Sequence, residues 1–522
     1  MTDLLKADWI PVRPFDSTIP TRISVRELLC GSRRWQPHLP RDDMEFGLIQ
    51  MLTAFAQVLF PPQDKPEWAA RVTSLPDTCK FAERVDRMPD WFQLDHPQHP
   101  FMQVAKVAAK EHTDMDKLLP GLTGNTSACF VNERGLAAAL CGGCAAIALF
   151  NQATQAPGFG GGFKQGLKGV GVSTLLQGDD LRQTVWLNVL TEESLDASGI
   201  AWRDHIDQAP TWVTPIEAGA TVSSGGIGLL RGLFWQPLHV RLRPPTEGGI
   251  CSCCGQPAAS RYTAFDKAKF SFTVEGVWPH PHAPRTVTLK KGLREERFVA
   301  ITTDAPAWTQ LDRYITRRVH GAMGEDLREP AAVVEQARAY LLGSADKLLL
   351  LAGGYRCNQA SIVERRHSLF TVNRNWHAHT DVIHRLVDIG QGYRKSLRSV
   401  LYQASTGIDK IRNERQARVK TASRFKGVGL DLHERAEKMF YRRSTPMIGK
   451  TLALVDFESP GEQFAALRVE LQALCSALFT EVTAPYQHDL DMQQTIALTR
   501  RMLAKRLREL ETLNWPSPQE AA

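Results

Sequence analysis

Residues 382–400 read VIHRLVDIGQGYRKSLRSV, and the spacing of their apolar side chains decides the architecture of everything after about Asn373. Val382, Leu386, Ile389, Tyr393, Leu397 and Val400 recur every three or four residues, which is the period of one helix face. The same period returns at Phe464, Leu467, Leu471, Leu474 and Leu478, and again at Ile496, Leu503, Leu507 and Leu510. Glu434 to Tyr441 belongs to a further expected helix, and Pro446, Pro460 and Pro485 fall where helix breaks are expected. Helices that each carry one apolar stripe bury those stripes against one another, so residues 373–522 are expected to form an all-α four-helix bundle.

Upstream, from residue 1 to 372, the texture changes. Short β-rich runs such as Ser271–Val274 and Arg285–Leu289 alternate with helical stretches such as Asp43–Leu59, and Gly- and Pro-rich connections separate them. An irregular, mixed α/β domain is expected there, giving an α+β chain in two parts. A length of 522 residues also calls for more than one hydrophobic core.

The net charge is +7, and its placement matters more than its size. Residues 394–443 hold 14 Lys/Arg against 5 Asp/Glu, a local +9, so the remainder, 49 basic against 51 acidic, sums to −2. Concentrated positive charge is what contact with a phosphate backbone requires, although a solvated helix face has the same composition. Hydrophobic residues at 43% and charged residues at 23% are ordinary for a soluble globular protein. The first residues, MTDLLKADWIPVRPFD, lack the apolar core of a signal peptide. The longest uncharged apolar run, Leu136–Phe150, is 15 residues long, too short for a bilayer and suited to a buried helix. A cytoplasmic protein without membrane contact is therefore expected.

Two of the cysteine groupings have metal-ligand spacing. Cys141-Gly-Gly-Cys144 and Cys251-Ser-Cys-Cys254 are both C-x-x-C, with 106 residues between them. Four thiolates from two such knuckles suit tetrahedral zinc, and a site filled by sulfur leaves no position for a catalytic water. The glycines of the first knuckle are expected to let backbone amides turn back toward the sulfurs. Cys253 is expected to be a bystander, although by spacing it could replace Cys251.

The segment APGFGGGFKQG, residues 156–166, is glycine-rich but is neither a Walker loop nor G-x-G-x-x-G. Its glycines allow close backbone approach to a ligand, with Lys164 and Lys168 following. Two readings stand: a loop facing DNA, or a tight turn packed on Phe159 and Phe163. Histidines at 96, 99, 280 and 282 offer a metal-dependent hydrolase reading through Asp95-His-Pro-Gln-His-Pro100. No H-E-x-x-H, nuclease-like carboxylate pair or helicase motif accompanies them, so a non-enzymatic role is favoured.

Nine strings taken together resemble one family. They are LPRDDME (39–45), HPFMQ (99–103), ACFVN (128–132), LCGGCA (140–145), Asn151 to Phe163, RGLFWQP (231–237), CSCCG (251–255), WPHPH (278–282) and GGYRCNQAS (353–361). In this order, and followed by a helical region, they resemble the CasA family, the large subunit of the type I-E CRISPR Cascade complex. The resemblance implies a non-catalytic protein that finds the protospacer-adjacent motif (PAM) on double-stranded DNA, starts R-loop formation and helps recruit a helicase–nuclease. It implies a glycine loop at Gly158, Phe159, Gly160 and Gly161, a lysine finger at Lys269, and a wedge at Gln359 flanked by Asn358 and Ala360. It further implies a backbone grip at Lys290 and Lys291 and a docking loop for the guide RNA 5′ handle at Phe130, Val131 and Asn132. The implied zinc ligands are Cys141, Cys144, Cys251 and Cys254. The implied partners are CasB, CasC, CasD and CasE, the guide RNA, the PAM duplex and the displaced strand.

Overall fold

The computed structural model describes residues 2–121, 135–290, 293–318, 326–341, 347–358, 361–418 and 430–512. The chain divides into two compact units. The first comprises Met1–Thr303, Arg317–Tyr340 and Leu349–Leu369, and the second comprises Asp304–Thr316, Leu341–Leu348 and Phe370–Ala522.

The first unit is a set of small sheets around two buried helices. In Asp42–Leu59 the buried residues run almost continuously from Asp43 to Gln57, so this helix lies inside the core and not on its edge. Phe55 anchors an aromatic cluster, with ring centroids 5.2 Å from both Phe92 and Phe234. The second helix, Gly142–Thr154, is buried from Gly143 to Thr154. It takes only part of the apolar run 136–150, because Cys141 is its N-cap and its sulfur accepts from the Cys144 amide. Strand Ala264–Ala268 lies between Thr113–Asp114 and His239–Leu242, pairing antiparallel with both. A long hairpin, Leu348–Asn358 and Ser361–Val372, adds Ser173–Leu176 on its first strand. The expected strand at 285–289 is observed as Arg285–Lys290, between Leu293–Phe298 and Asp326–Glu329. The run 271–274 pairs only as Thr273–Glu275.

In the second unit, helices Thr380–Arg418, Leu432–Leu454, Gly461–Thr483 and Leu490–Thr512 pack as a bundle, each touching two or more of the others. The residues whose spacing predicted the first helix are its buried face: Val382, Leu386, Ile389, Tyr393, Leu397 and Val400 are all below 3% exposed. Pro460 and Pro485 do mark breaks, at the start of Gly461–Thr483 and in the turn Ala484–Tyr486. Pro446 does not, because it lies inside Leu432–Leu454. Burial of Phe440, Ser444 and Ile448 on either side holds that helix together, and Thr445 Oγ1 donates to the Tyr441 carbonyl at 2.7 Å beside the proline. Segment 304–316 joins this unit by packing rather than periodicity. A Cβ at Gly390 would lie 2.7 Å from the Trp308 ring, so the indole occupies space that only glycine leaves. No helix among the described residues is long and apolar enough to cross a membrane.

Candidate metal centre and nucleic-acid interface

The sulfurs of Cys141, Cys144, Cys251 and Cys254 are buried and all lie within 4.8 Å of one another. Cys141 and Cys254 sulfurs are 3.9 Å apart, and four sulfurs about 2.3 Å from one zinc would be about 3.8 Å apart. The donor set and its spacing thus fit a tetrahedral thiophilic metal. Cys253 is buried too but is not one of the four whose sulfurs all lie within 4.8 Å of one another. Backbone amides serve as outer donors: Cys141 N donates to Cys251 Sγ at 3.3 Å and Cys144 N to Cys141 Sγ at 3.5 Å.

The glycines do a different job from the one expected. They lie in the helix, and a Cβ at Gly143 would sit 2.2 Å from the Trp9 carbonyl oxygen, so the residue is small because a neighbouring backbone fills the space. Hydrogen bonding from Cys141 and Cys144 lowers the Cys254 thiol to about 6, whereas hydrogen bonding to Cys141 raises Cys144. Four thiolates this close need a cation to compensate them. Arg22 supplies part of that charge: its Nη2 donates to Cys254 Sγ at 3.2 Å and its Nη1 to the Pro257 carbonyl at 2.6 Å. Nothing in the local sequence marks Arg22, which lies 232 residues from Cys254 along the chain.

The same helix leads from the metal centre to the glycine segment. Gly158, Gly160 and Gly162 have φ of +80°, +117° and +88°, and a Cβ at Gly160 or Gly161 would meet nothing within 4 Å. The turn therefore presents bare backbone to open space. Phe159 turns inward, with its ring centroid 5.5 Å from Phe163 and 5.5 Å from Phe265. The loop is thus an aromatic-packed turn with a bare outer edge. Lys269 lies along it, its Nζ 3.3 Å from where a Cβ at Gly162 would stand. Lys267 reaches over Phe159 and Phe265, at 5.9 and 5.8 Å, and Lys164 over Phe272 at 5.8 Å. Among the described residues no carboxylate pairs with these three lysines.

Lys267 lies within strand Ala264–Ala268 and Lys269 just beyond its end. Lys168 does not belong to this edge. It is 3% exposed and its Nζ donates inward to the Gly171 carbonyl at 2.6 Å.

The other site residues distribute as follows. Asn358 ends its strand in an exposed position, and Lys290 is the last residue of Arg285–Lys290. Gln359, Ala360, Lys291, Phe130, Val131 and Asn132 lie outside the described residues. Among the described residues, Asp90, His96 and His99 place ligand atoms within 4.8 Å of one another, apart from the buried pair His280 and His282. His280 and His282 are buried, and desolvation holds both well below the ordinary imidazole range. Asp95 accepts from the Tyr262 hydroxyl, and the acid that meets His96 and His99 is Asp90, at 3.0 and 2.9 Å. His96 Nδ1 accepts from the amides of Gln98 and His99 at 3.2 and 3.1 Å.

Five arginines of the basic stretch 394–443 are matched in space. Arg394 and Arg398 both pair with Glu437, Arg412 with Asp409, Arg415 with Asp489 and Asp491, and Arg443 with Glu481. Glu481, Asp489 and Asp491 lie beyond the stretch that counted +9.

A fold of many small sheets on two buried helices, with a four-cysteine cluster and a helical bundle, defines the class to which known proteins can be compared. The family model for CRISPR-associated protein Cse1 matches residues 3–478, and the chain belongs to that family. Cse1 of Thermobifida fusca is 16% identical, with a TM-score of 0.72 over 98% of this chain and 99% of its own. Thermus thermophilus CasA (Cse1) is 15% identical, with a TM-score of 0.69 over 97% and 100%. A chain of a structure described as a CRISPR RNA-guided surveillance complex is 16% identical, with a TM-score of 0.65 over 96% and 99%. At these identities the likeness is one of fold.

Proposed function

We propose that this chain is the non-catalytic large subunit of a type I-E Cascade complex, working in the cytoplasm, which reads the PAM on duplex DNA and starts strand separation. The observation that carries this reading is the edge where Gly160 and Gly161 present bare backbone beside Lys269, Lys267 and Lys164. A groove edge can approach a turn without Cβ atoms, and unpaired lysines beside it supply the phosphate attraction that sequence-independent binding requires. Minor-groove reading separates A·T from G·C but hardly reports orientation, so tolerance of related PAMs is expected. The sequence of the target is left to base pairing with the guide. Gln359 acts next, occupying the space a base step vacates, at a cost of a few kcal/mol that the growing RNA–DNA hybrid offsets.

Zinc on Cys141, Cys144, Cys251 and Cys254 has a structural role, stapling the start of the Gly142–Thr154 helix to the turn at 251–254. CasB, CasC, CasD, CasE, the guide RNA 5′ handle and a helicase–nuclease are the partners. Phe130, Val131 and Asn132 are assigned to the handle, and Asn358, Ala360, Lys290 and Lys291 to DNA. The test uses assembled complex on two targets, one fully paired and one already unpaired beside a duplex PAM. Lys269→Ala is expected to weaken binding to both, and Gln359→Ala to slow R-loop formation only on the paired one. Equal defects of Gln359→Ala on both targets would remove the wedge role, and an unchanged Lys269→Ala would remove the finger.

A further inference from the structure

Three of the strings quoted from the sequence meet in one buried polar network that the proposed function does not use. Arg41 and Asp43, from LPRDDME, are 3% and 1% exposed. The guanidinium donates twice to the carboxylate, at 2.9 and 2.6 Å, and once to the Pro120 carbonyl at 2.7 Å. Asp43 Oδ2 accepts from the Tyr355 hydroxyl at 2.7 Å, and that hydroxyl accepts from Asn151 Nδ2 at 2.8 Å. Tyr355 belongs to GGYRCNQAS, and Asn151 opens the stretch that runs into the glycine segment. The neighbouring carboxylate grips the other strand of the same hairpin: Asp42 meets His367 Nδ1 at 3.0 Å and Arg365 Nε at 3.2 Å.

Two carboxylates at the start of helix Asp42–Leu59 therefore hold both strands of the hairpin. An apolar layer lies beside them, where Ala156, Tyr355 and Ile362 pack together with Cys357 against them. Ala156 begins the glycine segment, and Tyr355 and Ile362 stand on either side of the hairpin tip. A buried ion pair is a poor means of gaining stability, since apolar side chains of the same volume generally do as well. Its attested use is to fix one arrangement among several.

We infer that the Tyr355 hydroxyl, held between Asp43 and Asn151, is the positioning contact that keeps the strand ends at Asn358 and Ser361 in register with the glycine segment beginning at Ala156. The functional half of this inference rests on the reading above, in which those two segments act on the same DNA. The contact ties reading to opening, because the strand ends on either side of Gln359 are then held against the start of the glycine segment. Tyr355 touches no nucleic acid in this scheme and acts only through the elements it holds.

Tyr355→Phe removes the hydroxyl and keeps the ring. Ile227→Val, in a fully buried position of the same unit, serves as a control that also loses core stability. Hydrogen exchange in full-length protein is expected to speed about tenfold at amides 355–358 and 361–363 in Tyr355→Phe. Exchange in helix Gly461–Thr483, and exchange at the hairpin in the control, should stay unchanged. Hairpin exchange within twofold of wild type would overturn the inference.

In assembled complex, Tyr355→Phe is expected to slow R-loop formation on paired DNA far more than on pre-melted DNA, a ratio the control should not move. Combined with Gln359→Ala it should add nothing further, because both changes disable the same tip. Full additivity of the two would show that the hydroxyl does not act through the tip, and the inference would fall. A silent Gln359→Ala would instead remove the wedge reading itself, leaving the exchange result to decide whether the hydroxyl fixes the hairpin.

Discussion

The glycine edge of the first unit and the arginine-rich helices of the bundle are alike in composition and opposite in structure. Lys164, Lys267 and Lys269 come from a chain region with no charge excess, yet among the described residues none meets a carboxylate. Arg394, Arg398, Arg412, Arg415 and Arg443 come from the stretch with a local +9, and each meets one. The difference teaches that a charge count along the sequence is not a field in space. Helix packing brings in acids from residues 481 to 491, whereas an open turn leaves a few lysines to act on whatever approaches.

The sharpest way to separate the two regions is through the metal. The purified chain is expected to carry about one zinc, and structural zinc contributes on the order of 10 kcal/mol where it has been measured in small peptides. Cys144→Ser should abolish zinc in elemental analysis and remove exchange protection over 142–154, with the bundle helices still protected. Cys475→Ser, in the buried face of the bundle, should keep its zinc. Zinc retained by Cys144→Ser would refute the assignment of the four cysteines.

The comparison of charges itself can be broken by salt titration of DNA binding. Replacing Lys164 and Lys269 together is expected to flatten the log–log dependence by about 1.8, or about 0.9 for each phosphate no longer neutralised. Arg415→Ala should leave the slope where it was, since its guanidinium is already held by Asp489 and Asp491. A larger change from Arg415 than from the lysine pair would reverse the roles given to the two regions.

Two smaller effects test the glycine edge alone. Gly160→Ala should cost on the order of 1–2 kcal/mol, because a φ of +117° is strained for any residue with a Cβ although nothing stands in its way. Gly161→Ala, in equally open space without a positive φ, should leave the melting temperature unchanged and weaken PAM binding by steric obstruction alone.

A separate effect concerns Lys168, which burial lowers from 10.5 to about 7. Its folded pKa is depressed, so the unfolded chain binds the extra proton between about pH 7 and 10.5. The associated stability is complete above that window and is lost as pH falls through it. Melting temperature should therefore gain less between pH 7 and 9 in Lys168→Met than in wild type, and identical slopes would show that the amine is not buried as described.

Much of the fold and of the site is legible in the sequence where the physics is local. The 3–4 spacing from Val382 to Val400 marks the buried face of the longest helix, and two C-x-x-C pairs mark four sulfurs that meet. The family resemblance singles out Lys269 and passes over Lys267, which the structure also brings to the glycine segment. Pro446 departs from expectation because a proline breaks a helix only when its surroundings do not hold it. Lys168 departs from it because nothing in KQGLKG says which lysine turns inward.

What the sequence determined by itself was therefore periodicity and ligand chemistry: an α+β chain ending in helices, with a thiolate set suited to one metal. Both follow from rules that act within a few residues or from side-chain chemistry alone. Only the tertiary structure decided that Trp308 fills the space at Gly390, that Arg22 reaches Cys254, that five arginines of the basic stretch meet acids, and that Arg41, Asp43, Asn151 and Tyr355 share one network. Such pairings reach across as many as 312 residues, from Asp43 to Tyr355. Proximity at that range is set by packing the whole core, and no local spacing carries that information.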